Sequence, residues 1–170
     1  MATLTGLFYR LLTILAGLAM VAAFAAVAVQ IAARQLGLDM PGLDAYAGYA
    51  IAAALFLALP QTLKHGEHIR VTLLLQRLPA KVRSAFEFAA LVAGLMLSSY
   101  VTFYAARLVW VSYTTHDISP GLDATPLWIP QLAMALGCFG FALAFADAIV
   151  ARLRGRLFFR TAAAEAAHAE

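Results

Sequence analysis

The side chains best suited to chemistry cluster in one stretch, KHGEHIRVTLLLQRLPAKVR, which covers residues 64–83. His65 and His68 are three residues apart, and Glu67 lies between them. Histidines at this spacing on a helix can bind one Zn²⁺ ion, but a structural zinc site needs four protein ligands. Neither a cysteine nor a third histidine is nearby in the sequence. We therefore expect no metal site in this stretch.

Other catalytic patterns are missing from the sequence. The chain has neither the GxSxG motif of hydrolases nor a P-loop. A single cysteine, Cys138, rules out an internal disulfide and a CxxC motif. A haem held inside a helical bundle needs histidines within the spans, whereas all four histidines lie outside the long apolar runs. We expect no catalytic residue and no cofactor.

Composition indicates that lipid surrounds most of the chain. Of 170 residues, 64% are hydrophobic and 12% are charged, with a mean hydropathy of +0.83. A soluble domain has about a quarter of its residues charged. Four apolar runs each approach the roughly 20 residues that a helix needs to cross a bilayer. They predict an all-α integral membrane fold, with transmembrane helices at about residues 11–33, 43–63, 84–107 and 126–150.

The basic residues predict the orientation of these helices. In a four-helix chain both termini share a side, and ten of the 12 Lys and Arg residues would lie there. Only Arg34 and Arg107 would lie on the other side. By the positive-inside rule both termini face the cytoplasm, an N-in/C-in topology. The tail, residues 161–170, is expected to be mobile.

A short amphipathic helix is predicted between the second and third spans, at about residues 68–78. At 100° per residue its apolar side chains share one face, and Arg70 and Arg77 share a flank. Such a helix lies along the membrane surface, with its arginines on lipid phosphates. The apolar face consists of Val71, Leu74, Leu75, Leu78 and Val82.

Ionisable side chains of the spans all lie near helix ends, as the cost of charge in hydrocarbon requires. Candidate ion pairs at the outer side join Arg34 or Arg107 to Asp44, Asp117 or Asp123. At the inner side, Glu87 and Asp147 lie within reach of Arg83 or the arginines of the tail. Since no acid lies in mid-membrane, we expect no proton or cation pathway within this chain, which disfavours a small drug exporter.

The central stretch resembles a known family. Gly66, His68, Ile69, Arg70 and Val71 precede an apolar run that ends in Leu78-Pro79, with Arg83 beyond. This order is similar to the signature of the small membrane subunit of TRAP transporters, the tripartite ATP-independent periplasmic uptake systems (DctQ-like family). Arg34, Asp44 and the TPLWIP segment at 125–130 follow the family's order, over roughly residues 10–153. One departure is the single acid, Asp44, where the family often has an aromatic residue and paired acids.

The resemblance implies a scaffold subunit that is not an enzyme, in the bacterial inner membrane. Its implied partners are a large membrane subunit, which carries the substrate and sodium sites and moves like an elevator, and a periplasmic protein that captures an organic acid. Membrane lipids are the other expected partner, and nucleic acid is not. Residues expected to meet lipid or the large subunit are His68, Arg70, Arg77, Arg34, Asp44 and Arg107.

Two other assignments stay open on the sequence. The chain could be the small subunit of a different tripartite carboxylate transporter, which also has four helices. It could also be a self-contained four-helix membrane protein, such as a redox subunit. The neighbouring reading frames would separate these alternatives.

Overall fold

Four long helices make up the computed structural model, which describes residues 2–38, 40–65 and 79–155. They are α1 (Ala2–Gln35), α2 (Leu43–His65), α3 (Ala80–Thr114) and α4 (Trp128–Leu153). Each is long and apolar enough to cross a membrane, which confirms the all-α fold with four candidate spans. At 34 and 35 residues, α1 and α3 are about 50 Å long, so they exceed the thickness of the hydrocarbon core.

Some sequence predictions fall outside the described residues. They include the interfacial helix at about 68–78 and the tail at 161–170. Most residues named for the interfacial helix are therefore also outside the described residues. They are His68, Arg70, Arg77, Val71, Leu74, Leu75 and Leu78. Val82 is described: it lies in the first turn of α3 and is 40% exposed.

Helices α2 and α4 form the centre of the bundle. They pack against each other, while α1 packs on α2 and α3 packs on α4. The close approach at the centre depends on Gly137 of α4, because a Cβ added there would collide with the backbone carbonyl of Phe56 in α2. Gly94 of α3 makes room for a side chain instead, because a Cβ added there would collide with the ring of Phe145 in α4. Small residues allow such backbone contact between membrane helices.

The core lies where α1, α2 and α4 meet. Ala144 of α4 is fully buried, and it packs with Tyr9 and Leu63. A Cβ added at Gly140 would lie 2.6 Å from Cδ1 of Leu12 and 2.8 Å from Cγ of Pro60. These helices therefore pack through small residues that let the backbones approach, and not through a wide stripe of large apolar side chains.

Two left-handed residues end the first and third helices. Gly37, with φ 70°, follows α1, and the amide of Leu38 donates to the Ala33 carbonyl at 2.9 Å, which is a Schellman motif. His116, with φ 56°, takes the equivalent place after α3, where the amide of Asp117 donates to the Ser112 carbonyl at 3.0 Å. Both turns end their helices cleanly and reverse the chain.

Candidate partner and lipid interface

The two ends of the bundle carry different polar groups. The first, here called the basic end, is formed by the start of α1 and α3 and the end of α2 and α4, and it carries Arg10, Lys64, Arg83 and Arg152. The second, here called the loop end, holds the connections 36–42 and 115–127. Each end has its own set of contacts between helices.

At the basic end, Tyr9 connects three helices. Its buried side chain, only 2% exposed, donates a hydrogen bond from its hydroxyl to Oδ2 of Asp147 in α4, at 2.7 Å. Nζ of Lys64 in α2 lies 3.2 Å from the centroid of the Tyr9 ring, which is cation–π geometry. The sequence predicted that Asp147 lies within reach of Arg83 or the arginines of the tail. In the described residues its hydrogen-bond partner is this tyrosine, and Arg156 and Arg160 of the tail lie outside those residues.

Glu87 forms the second cluster of the basic end. It accepts from Nε of Arg83 at 3.0 Å and from Nη1 of Arg152 at 3.1 Å, as the sequence predicted. Nη2 of Arg152 also donates to the carbonyl of Ser84 at 2.6 Å and to its hydroxyl at 2.8 Å. One guanidinium therefore joins the end of α4 to the start of α3 through three hydrogen bonds.

A groove of about 610 Å³ opens between α1 and α2 at the basic end. Arg10 and Thr13 line it from α1, and Gln61 and Lys64 line it from α2. Tyr9 also lines the groove. Gly6 leaves the groove open at its own position, because a Cβ added there would meet nothing within 4 Å. The groove combines two cationic side chains with apolar helix surface.

At the loop end, one carboxylate is held by uncharged donors. Asp123 accepts from the Tyr49 hydroxyl at 3.0 Å, the Ser119 hydroxyl at 2.8 Å and the Thr125 amide at 3.3 Å. Hydrogen bonds from Thr125, Ser119 and Tyr49 lower the pKa of the Asp123 carboxyl to about 2. Gly42, with φ 85°, lets the α1–α2 connection approach this loop, since a Cβ there would lie 3.0 Å from Cα of Asp123.

The loop between α3 and α4 is closed by backbone contacts as well. An isolated antiparallel bridge joins Ile118 and Pro126, and the Ser119 amide donates to the Thr125 carbonyl at 2.8 Å. The Thr125 hydroxyl donates to the Tyr46 hydroxyl at 3.1 Å, which connects the loop to α2. The TPLW segment therefore fixes the entry to α4 by anchoring it to the second helix.

Three described residues of the predicted interface lie apart from one another. Arg34 is in the last turn of α1, Asp44 is in the first turn of α2, and Arg107 is exposed on α3. Among residues 2–38, 40–65 and 79–155, no salt bridge joins Arg34 or Arg107 to an acid. The structure therefore does not bring these residues together, and Asp123, a predicted partner, is instead held by neutral donors.

The exposed faces of the two outer helices differ. On α3, one stripe carries Tyr100, Phe103, Tyr104, Arg107 and Trp110, at the spacing of one helix face. The rings of Tyr100 and Tyr104 lie 4.6 Å apart, and those of Phe103 and Tyr104 lie 5.4 Å apart. The exposed side chains of α1 are mainly aliphatic, and they include Leu4, Leu7, Ile14, Leu18, Val21 and Ile31. Of the two outer helices, as far as their side chains are described, only α3 presents an outward stripe that combines stacked aromatic rings with an arginine.

Metal chemistry has no support in the part of the chain that the structure describes. There, no group of three His, Cys, Asp or Glu side chains is placed to hold a metal ion. His65 ends α2, with its Nδ1 3.1 Å from the Gln61 carbonyl oxygen. His68 and Glu67, the other members of the candidate cluster, lie outside the described residues.

A comparison with protein families gives one match. The model of the family described as "Tripartite ATP-independent periplasmic transporters, DctQ component" matches residues 23–155. The matched range begins within α1, ends just beyond α4, and includes both connections of the loop end. A search of curated proteins finds no match to the chain.

Proposed function

Since this chain belongs to the DctQ component family of tripartite ATP-independent periplasmic transporters, we propose that it scaffolds a sodium-driven uptake system for an organic acid. As a small permease subunit it would bind a large membrane subunit, and a periplasmic binding protein would deliver the substrate. The observation that carries this proposal is the family match over residues 23–155. The family is a transporter component and not an enzyme family.

The distribution of charge supports an N-in/C-in orientation in the bacterial inner membrane. The basic end has Arg10, Lys64, Arg83 and Arg152, whereas the described loops at the other end, residues 36–38, 40–42 and 115–127, have no Lys or Arg. By the positive-inside rule, the basic end faces the cytoplasm. The interfacial helix that the sequence predicts at about residues 68–78 would then lie on the cytoplasmic surface.

The α3 stripe is the surface that we assign to the large subunit. Tyr104 and Tyr100 lie about 5 Å and 10 Å along the helix from Arg107, toward mid-membrane. Tyrosine hydroxyls at such depth are costly in lipid unless they find a hydrogen-bond partner, so they usually face protein or water. Tyr, Trp and Arg are also the residues that dominate binding energy in protein interfaces. Aliphatic α1 suits lipid, so the two outer helices divide these roles.

Other predicted interface residues extend this assignment. His68, Arg70 and Arg77 would contact the large subunit or lipid at the cytoplasmic edge. Arg34 and Asp44 would lie at the periplasmic edge, where the binding protein approaches. We expect His68→Ala and Arg70→Ala to weaken assembly or uptake, whereas wild-type complex yield and uptake in both variants would leave these residues as a surface connector.

Co-purification tests the central proposal. The tagged chain would be expressed with the large membrane subunit that it is proposed to bind, and the complex would be isolated in mild detergent. We expect the two chains to elute together, and deletion of the small subunit to abolish uptake of the organic acid. The proposal would be contradicted if the chain did not associate with the large subunit and uptake remained intact after its deletion.

Substitutions on the outer helices test the assigned surface. We expect Tyr104→Leu with Arg107→Leu to reduce the amount of co-purified large subunit at least about tenfold, because hot-spot residues contribute 2 kcal/mol or more each. Phe24→Leu on the exposed face of α1 is the matched control and should leave the yield unchanged. Equal losses in both variants would contradict the assignment of α3.

A C-terminal fusion to a fluorescent protein that is bright only in the cytoplasm checks the orientation.

A further inference from the structure

The groove between α1 and α2 at the basic end has the chemistry of an anion site. Arg10 is exposed at its rim, and Lys64 reaches into it above the Tyr9 ring. Asp147 of α4, whose charge interacts with that of Lys64, already accepts the Tyr9 hydroxyl. Two cations and one engaged carboxylate leave the groove with a net positive charge.

Neutral groups add to the polarity of the groove. The Thr13 hydroxyl donates to the Tyr9 carbonyl at 2.9 Å, so its proton is not available to an anion. The Gln61 side chain, which also lines the groove, has an amide that can donate. An anion bound beside Arg10 and Lys64 could therefore receive hydrogen bonds from two charged groups and one neutral amide.

The position of the groove along the helices decides which anion fits. Arg10 and Lys64 each border a long charge-free run, so they lie at the level of the lipid headgroups. Farther along α1, Ile14 and Leu18 are more than half exposed and form an apolar surface for an acyl chain. Cationic groups above an apolar helix face match a phosphate that is attached to hydrocarbon.

We propose that this groove binds the phosphodiester of an anionic phospholipid, with its acyl chain along α1. The volume of about 610 Å³ is within the usual range of ligand sites. Basic pockets between membrane helices commonly bind lipid headgroups. The site is separate from the α3 stripe, and it goes beyond the scaffold role proposed above.

A second groove offers a built-in comparison. It lies at the loop end beside Arg34 and Gln30, has a volume of about 280 Å³, and contains one cation. With a single cation and less than half the volume, it should retain an anionic lipid more weakly. Arg34→Gln is therefore the matched control for charge removal at the basic end.

Native mass spectrometry of the full-length chain provides the test. The protein in detergent would be incubated with phosphatidylglycerol or phosphatidylcholine, and the lipid-bound fraction would be titrated. We expect wild-type protein to prefer phosphatidylglycerol. Arg10→Gln should weaken its retention about tenfold, since one charge-assisted hydrogen bond is lost, and Arg10→Gln with Lys64→Gln should weaken it further. Arg34→Gln should reduce retention much less than Arg10→Gln.

Several outcomes would overturn the lipid site. One is an equal loss of lipid retention in Arg10→Gln and Arg34→Gln, and another is equal retention of both lipids by the wild-type protein. A third is displacement of the lipid by millimolar inorganic phosphate, which would identify a free phosphate site instead. Arg10 is exposed, so its variant should stay folded, and unchanged circular dichroism verifies this. Co-purification with the large subunit is measured separately, so failure of the lipid site and failure of the scaffold role can be distinguished.

Discussion

The two ends of this bundle hold their carboxylates in different ways. At the basic end, Glu87 is bound by two arginines, and Asp147 lies beside a tyrosine hydroxyl and a lysine. At the loop end, Asp123 is bound by hydroxyl and amide donors without a cation. The end that carries the basic residues uses them to join helices, and the other end closes its turn with neutral hydrogen bonds.

This difference predicts different responses to solution conditions. Contacts between charged groups weaken as salt screens them, and exposed pairs weaken most. Hydrogen bonds from neutral donors to a carboxylate respond little to salt, but they are lost when the carboxylate is protonated. Ionic strength should therefore weaken the basic end and leave the loop end nearly unchanged, whereas acid should weaken the carboxylate contacts of both ends.

The largest effect on stability is expected between the two ends, at the contact of α2 with α4. Gly137→Leu should lower the free energy of unfolding by about 3 kcal/mol or more, because overpacking against the backbone of Phe56 cannot be relieved by a side-chain rotation. Thermal unfolding in detergent, followed by circular dichroism, measures the loss. Gly17→Leu on the open face of α1 is the control, since a Cβ there meets nothing within 4 Å. A similar loss in both variants would show that α2 and α4 do not depend on this contact.

The spans could be predicted from the sequence because each one is a local property of the chain. A helix must be apolar over its whole crossing, and the charge-free runs mark that directly. The order of packing could not be predicted in this way, since lipid and protein interior are equally apolar and the buried face of a span need not differ in hydrophobicity from its lipid-facing side. Gly137 was visible as a small residue, but nothing in the sequence points to Phe56 as its neighbour.

The polar contacts were predictable only in part. Glu87 and Arg152 could be paired because both lie near one end and carry opposite charge. The Tyr9–Asp147 contact could not, since the two residues are 138 positions apart and a tyrosine near a helix end is equally suited to headgroups. The sequence favours an arginine partner for Asp123, because a carboxylate near a helix end is expected to pair with a cation. Its actual donors are hydroxyl and amide groups, whose positions depend on the loop geometry.

The second largest effect should come from Asp147. Asp147→Ala removes the acceptor of the buried Tyr9 hydroxyl and the anion beside Lys64, and it should cost roughly 1–3 kcal/mol of unfolding free energy. Asp147→Asn keeps an acceptor without the charge, so it should recover part of the loss. Equal stability of wild type and Asp147→Ala in thermal unfolding would mean that Tyr9 is satisfied in another way.

A smaller effect is expected at the contact between α3 and α4. Arg152→Gln and Glu87→Gln should each cost about 1 kcal/mol, and their double-mutant cycle should give a coupling energy of roughly 0.5–1 kcal/mol, because both side chains are partly exposed. High salt should reduce this coupling. Arg83→Gln, which breaks only a pair within α3, is the control and should cost less. A coupling that is unchanged by salt would contradict the distinction between the two ends.

The smallest effect should come from Asp123, and it should depend on pH and not on salt. The pKa of its carboxyl is lowered to about 2 from an ordinary value of 3.8, so the contribution of its hydrogen bonds is present above that ordinary value and is lost as pH falls through the folded value. Protection of the Thr125 amide from hydrogen exchange should therefore begin to decline below about pH 4 and be lost near pH 2. Asp123→Asn should expose this amide at neutral pH with a smaller change in Tm than Arg152→Gln. Asp117→Asn, in the same loop, is the control, and matching profiles for the two variants would contradict the role assigned to Asp123.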